Sequence, residues 1–156
     1  TFPALALALE PGVAAVMARP PRKPDEAILS REFFLGVFFY ALLITASTLA
    51  ALVVYREGSI QHARTAAFMT LAFAQMFHLG NARSDQAVTG RRMVSNPYAL
   101  AALALSVALQ LGAAYLPPLA RVLGVIPPEG GDWLVILGLA LVPAVVGQAI
   151  RMWRSV

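Results

Sequence analysis

Two polar side chains, Gln75 and His78, lie near the middle of the otherwise apolar run Arg64–Arg83, RTAAFMTLAFAQMFHLGNAR. Residues three apart share one face of a helix, so the pair can look into the same crevice. A carboxamide oxygen is a good ligand for a hard cation, whereas an imidazole nitrogen suits a transition metal or a proton. Polar groups at hydrocarbon depth face a bundle interior or a cavity, and there they mark cargo paths or hold helices together. The plainer role for Gln75 is an interhelical hydrogen bond, worth about 0.6–2 kcal/mol in a membrane. For His78 the plainer role is packing near the end of its helix, and Asn81 reads as a helix-end group.

The elements that would position these residues are long apolar helices. The chain of 156 residues is 59% hydrophobic and 13% charged, with a mean hydropathy of +0.71. Water-soluble domains are about 45–50% apolar and about 25% charged, so this composition is that of a membrane protein. The net charge of +4 does not point to nucleic acid, because the basic residues sit in short clusters between apolar runs and form no basic helix face. With no cysteine, thiolate metal sites and nucleophilic thiols are excluded.

Phe33–Tyr55 carries no charge and, as a helix, is about 35 Å long, enough to cross a bilayer with some tilt. Thr45, Ser47 and Thr48 on it suit hydrogen bonds to their own backbone or to a neighbouring helix. A short connection over residues 56–63 predicts an antiparallel neighbour, a helix over 65–81. Ser95-Asn96-Pro97 supplies a cap and a first-turn proline for a span over 97–116, which Pro117-Pro118 ends. That span contains Ala, Ser106 and Gly112, small residues that let helices approach, and Gln110 as interhelical glue. A last span over 132–153 begins with Asp132, suited to the positive end of the helix dipole, and has Trp133 and Trp153 at its two ends. Pro143 predicts a bend in it. The predicted fold class is therefore an all-α membrane protein: four transmembrane helices in two antiparallel hairpins, preceded by the end of a truncated helix.

The opening TFPALALAL is too short to span, and Glu10-Pro11-Gly12 predicts its end. It reads as the severed end of a membrane helix, which makes the chain a fragment. Met17–Arg31, with three prolines and four basic residues, reads as an extended, solvated loop. Placing loop 10–32, loop 82–96 and the C-terminus in the cytoplasm puts nine basic residues inside (Arg19, Arg22, Lys23, Arg31, Arg83, Arg91, Arg92, Arg151 and Arg154) and leaves Arg56, Arg64 and Arg121 outside, the orientation chosen by the positive-inside rule. Apart from Asp132 at the start of the last span, none of the eight acidic residues falls within a predicted span. High Ala and Arg usage points to a bacterial source, and hence the plasma membrane.

The order TFPALALALEPG, MARPPRKPDEAILSR, ARTAAFMTLAFAQMFHLGNARS, SNPYAL, YLPPLARVLG and DWLVILGLAL resembles the C-terminal membrane region of P-type cation-transporting ATPases of the calcium-pump and sodium/potassium-pump branch. The resemblance covers nearly the whole chain. It implies that residues 1–9 end the sixth membrane helix, that 10–32 form a cytoplasmic loop, and that 33–55, 65–81, 97–116 and 132–153 are helices seven to ten. It further implies a parent that uses ATP and Mg2+ and carries a cation. Calcium leads as cargo, ahead of manganese, sodium/potassium and proton exchange. The DKTGT phosphorylation motif of that family does not occur in this sequence.

By the same resemblance, Gln75 stands where reticulum-type calcium pumps carry a ligand glutamate and plasma-membrane-type calcium pumps carry glutamine. His78 stands where sodium/potassium pumps carry an aspartate. Both departures point to a one-site pump. In the loop, Val13, Ala14 and Ala15 stand where the family often carries acids. The expected partners are the lipid bilayer and the remaining membrane helices and cytoplasmic domains of the parent, with no nucleic acid. A bundle that anchors a transporter without touching its cargo is the other function this sequence allows.

Overall fold

A computed structural model describes residues 2–8, 30–82 and 96–154. The loop read over 10–32, apart from its last residues, and nearly all of the loop over 82–96 lie outside the described residues, as does the helix stop at Glu10-Pro11-Gly12. Among the described residues every regular element is a helix: α1 (Phe2–Leu7), α2 (Arg31–Val54), α3 (Ile60–Ala82), α4 (Pro97–Tyr115), α5 (Pro117–Leu123) and α6 (Gly130–Arg154). Three stretches, Arg31–Val54, Pro97–Tyr115 and Gly130–Ile150, are long and apolar enough to cross a membrane. Together with the composition they make this an integral membrane protein.

The helix starts follow from local chemistry. Ser30 accepts a hydrogen bond from the Phe33 amide at 3.1 Å, so α2 begins at Arg31, two residues earlier than the apolar run alone predicts. Asn96 has the extended backbone of a cap and accepts from the amides of Tyr98 and Ala99, with Pro97 in the first turn, as the Ser-Asn-Pro sequence predicts.

Two predicted helix starts need correction, and one predicted stop proves also to be a start. The connection read over 56–63 is shorter, and α3 starts at Ile60 rather than at 65, because the Ser59 hydroxyl accepts from the His62 amide at 3.1 Å and caps the helix there. Pro117-Pro118 does end α4, since Leu116, ahead of a proline, is held in an extended conformation. The same two prolines then open α5, whose first-turn amides would have had no partner in any case. That helix closes at Gly124, whose φ of +63° is the left-handed conformation that glycine adopts without strain. Finally, α6 begins at Gly130, two residues before the predicted start, so that the acidic Asp132 stands in its first turn within a candidate span, where it is only 8% exposed. The polar partners described below make that burial tolerable.

Two ring contacts define how α2 and α3 pair. Tyr55 lies on His62 with centroids 4.5 Å apart, and Tyr40 on His78 with centroids 4.1 Å apart. Fifteen residues separate Tyr40 from Tyr55 and sixteen separate His62 from His78, so the two helices run antiparallel and in register along their length. That register sets Ala51 opposite Ala66, and both are fully buried. The core around them draws on Met69, Phe73 and Ala74 of α3, Ala114 of α4, and Ile136 and Ala140 of α6. Small side chains at these crossings allow close backbone approach, which in lipid replaces the hydrophobic drive available in water.

The helix α6 packs chiefly against α3 and α2, while α4 meets α3, α5 and α1. The helix passes through Pro143, which is fully buried. As a result α3 is the central helix, touched by α2, α4 and α6.

Candidate functional site

Along α3 the buried positions are Ala63, Thr65, Ala66, Met69, Thr70, Phe73 and Ala74. The exposed positions Gln61, Arg64, Leu71 and Gln75, spaced three, seven and four residues apart, share one helical face and trace a separate stripe, which no other described helix covers. Gln75 is thus a carboxamide on the uncovered side of the most enclosed helix. His78 is partly buried and its ring rests on Tyr40 of α2, the planes tilted by 44°. The two side chains expected to share a crevice diverge, Gln75 toward the open stripe and His78 toward α2. Gln110 of α4 donates from Nε2 to Sδ of Met69 at 3.2 Å, the interhelical link expected of it.

Hydroxyls on the spans mostly return to their own backbone. Thr48 donates to the Ile44 carbonyl, Thr65 to that of Gln61 and Ser106 to that of Ala102, each at 2.8 Å. Thr70 differs, for its Oγ1 is buried and has no hydrogen-bond partner. No group of three or more His, Asp or Glu side chains that could hold a metal ion occurs among the described residues. Among the described residues Gln75 therefore has no cluster of carboxylates or imidazoles to complete.

A second polar cluster lies at the end of the bundle where α2 turns into α3. His62 Nε2 stands 2.8 Å from a carboxylate oxygen of Asp132, and the Glu129 amide donates to the same carboxylate at 2.8 Å. The Tyr55 hydroxyl donates to Asp132 as well. Burial, that hydrogen bond and the nearby carboxylate charge push the Tyr55 phenol up to about 12.

Beside this cluster, Thr65 Oγ1 accepts from the Ile126 amide at 2.9 Å, Tyr115 donates to the Pro128 carbonyl at 3.0 Å, and Trp133 donates to the Tyr115 hydroxyl at 3.1 Å. The segment between α5 and α6 is thereby pinned to α3 and α4. Sequence reasoning placed Asp132 at a helix N-terminus and His62 in a connection. Their position at the two helix starts was the available signal, but nothing local pairs them.

At the other end, Asn96 caps α4 and also donates from Nδ2 to the Ala6 carbonyl at 3.2 Å. This tie holds α1 against the start of α4, with Ala6 and Asn96 both buried.

Residues 1–153 match the sequence pattern of the family described as "Cation transporting ATPase, C-terminus". The chain is similar to the "Calcium-transporting ATPase" of Bacillus subtilis (strain 168), with 33% identity over 91% of this chain and 16% of that protein. It is also similar to "Calcium-transporting ATPase 1" of Bacillus cereus, with 31% identity over 99% of this chain and 20% of that protein. To the "Calcium-transporting ATPase type 2C member 2" of Mus musculus the identity is 28%, over 98% of this chain and 17% of that protein. The chain thus spans between 16% and 20% of the length of these relatives. With all but its last three residues matching the family pattern, it belongs to the cation-transporting ATPase C-terminal family.

Proposed function

We propose that this chain is the membrane-embedded C-terminal part of an ATP-driven calcium pump, and that Gln75 supplies a neutral oxygen ligand to its cation site. The observation that carries the reading is the exposure of Gln75 on the one stripe of α3 that its neighbours leave uncovered. A carboxamide facing hydrocarbon is costly, so the part of that stripe around Leu71 and Gln75 is to be covered by the remaining membrane helices of the parent, which bring the other ligands. The relatives named as calcium-transporting ATPases are five to six times longer than this chain and so have room for those helices.

In this reading α3 also crosses the membrane and makes four spans with α2, α4 and α6. Its 23 residues reach about 35 Å, and its lower apolar content is tolerable because it is enclosed by other helices rather than by lipid. Residues 1–9 end an earlier helix, and the basic loops 10–32 and 82–96 face the cytoplasm with the C-terminus. The parent, on this reading, binds ATP and Mg2+ in cytoplasmic domains that contribute nothing to the residues described here. His78 serves packing through Tyr40, one face round from the site.

The test is Gln75→Ala in the full-length protein, read as the calcium dependence of ATP hydrolysis. The half-saturating calcium concentration is expected to rise on the order of ten-fold, the loss of one good oxygen ligand. An unchanged calcium dependence would leave the chain as a supporting bundle without cargo contact.

A further inference from the structure

The short helix α5 and the residues around it carry more exposed apolar surface than a seven-residue connector needs. Val122 is 84% exposed, Leu119 46% and Leu123 44%, while Ala120 and Val125 turn inward and are buried. The helix starts two residues after α4 ends, and Gly130 opens α6 shortly after Gly124 closes it. It therefore sits at the level where two candidate spans leave the hydrocarbon. Tyr115 and Trp133, linked through Trp133 Nε1, mark that level with the amphipathic aromatic side chains that favour the membrane boundary.

Two arginines stand at the same corner. Arg121 is exposed in the last turn of α5. Arg64, also exposed, reaches over from α3, and its Nη1 lies so close to Gly124 that a Cβ there would come within 3.0 Å of it. Among the described residues the acidic side chains at this end are Glu57, 3.9 Å from Arg56, the exposed Glu129, and Asp132, which is engaged by His62 and Tyr55. The only ion pairs among the described residues are Arg56 with Glu57 and His62 with Asp132, so neither Arg64 nor Arg121 is matched to a carboxylate there.

We propose that α5 is an interfacial helix that lies on the bilayer at this end of the bundle, with Leu119, Val122 and Leu123 in the boundary between acyl chains and headgroups and with Arg64 and Arg121 holding phospholipid phosphate. A helix with apolar and basic sides at the end of a span gains from burying the first in the acyl boundary and placing the second at phosphate depth. Guanidinium is suited to that role because its planar fork matches phosphate geometry. The hydrogen bonds of Thr65 to Ile126 and of Tyr115 to Pro128 hold the α5–α6 segment in place, so α5 is presented to the lipid as a fixed shelf.

The inference goes beyond the pump reading and needs only that α4 and α6 lie in the membrane. The test uses the full-length protein in phosphatidylcholine nanodiscs with and without phosphatidylglycerol, spin-labelled singly at Val122→Cys, Leu109→Cys or Glu57→Cys. These sites suit labelling because the chain has no cysteine of its own. Leu109 is on the exposed face of α4 and reports hydrocarbon if α4 is a span; Glu57 reports water.

The label at 122 is expected at an intermediate depth, more accessible to oxygen and less to a water-soluble nickel chelate than the label at 57. The Arg64→Gln/Arg121→Gln pair is expected to lower co-purified phosphatidylglycerol by about ten-fold, the loss expected for two basic side chains at an anionic surface. Three results overturn the proposal. The label at 122 could be as wet as that at 57, it could be shielded from both probes by another part of the protein, or phosphatidylglycerol could be retained in full by the double variant. A wet label at 109 would instead overturn the membrane placement of α4, a separate failure.

Discussion

His62 and Asp132 are seventy residues apart in the chain and 2.8 Å apart in space, where they join the first turn of α3 to the first turn of α6. Asp132 also receives the Glu129 amide and the Tyr55 hydroxyl, so one carboxylate ties the ends of α2, α3 and α6 together. A carboxylate so buried is tolerated because its lone pairs are filled.

Replacing Asp132 with Ala leaves His62, Tyr55 and the Glu129 amide without their shared acceptor. The expected loss of stability is about 1–3 kcal/mol, below the figure for a fully buried ion pair because His62 keeps partial contact with water. Thermal unfolding of the detergent-solubilised full-length protein measures it, and Asp132→Asn should recover part of the loss by keeping an acceptor oxygen. An unchanged midpoint for Asp132→Ala would show that the junction does not hold the helices.

The raised Tyr55 phenol carries a defined pH signature. A folded-state pKa above the ordinary 10.0 means that the neutral hydroxyl is favoured by the fold, so its contribution to stability is fully present below pH 10 and disappears as pH rises toward about 12. The difference in phenolate absorbance between wild type and Tyr55→Phe should therefore show one phenol titrating late. In an Asp132→Asn background that phenol should titrate closer to its ordinary value. A Tyr55 that titrates at the ordinary value in the wild type contradicts the hydrogen bond.

Thr70 is expected to behave unlike the other buried hydroxyls. Its register on α3 sets it opposite Ser47 of α2, and its Oγ1 is buried without a hydrogen-bond partner. Removing an unsatisfied buried polar atom while keeping the shape should stabilise, so Thr70→Val is expected to raise the unfolding midpoint, with a gain of about 1 kcal/mol. The same change at Thr65, whose hydroxyl is bonded to both Gln61 and Ile126, should lower it. A destabilised Thr70→Val would mean that this hydroxyl has a partner.

Asn96 holds two structures with one side chain, and two substitutions separate them. Asn96→Asp keeps the acceptor that caps α4 but loses the Nδ2 donor to Ala6, so α1 should loosen while α4 stays helical. Asn96→Ala removes both and should cost about 1–2 kcal/mol. Hydrogen exchange over residues 2–8 and 97–101 distinguishes the outcomes, and equal exchange in both variants would contradict the division of roles.

Local chemistry made most of the helical architecture legible. Apolar runs long enough to cross a bilayer predicted the helices α2, α4 and α6 to within two residues at each boundary, since about twenty predominantly apolar residues in lipid must satisfy their backbone hydrogen bonds within the segment. The Asn96-Pro97 start and the Pro117 stop were equally plain, because capping and the lack of a proline amide act within one turn. The early start of α3 was missed because Ser59 looks like any loop serine until its hydroxyl meets the His62 amide.

Which way each polar residue faces was not legible in the same manner. Gln75 and His78 share a helix and a spacing, yet one faces the uncovered stripe and the other rests on Tyr40, because the angle at which α2 and α6 settle on α3 decides which side is covered. The junction of Tyr55, His62 and Asp132 depends still more on assembly. Its three members come from the end cap of α2 and the first turns of α3 and α6, and their chemistry exists only once α6 has packed beside the α2–α3 pair. Composition, run length and caps act between chain neighbours and could be read in order along the chain; orientation and long-range polar contacts arise from packing between helices, which no single stretch encodes.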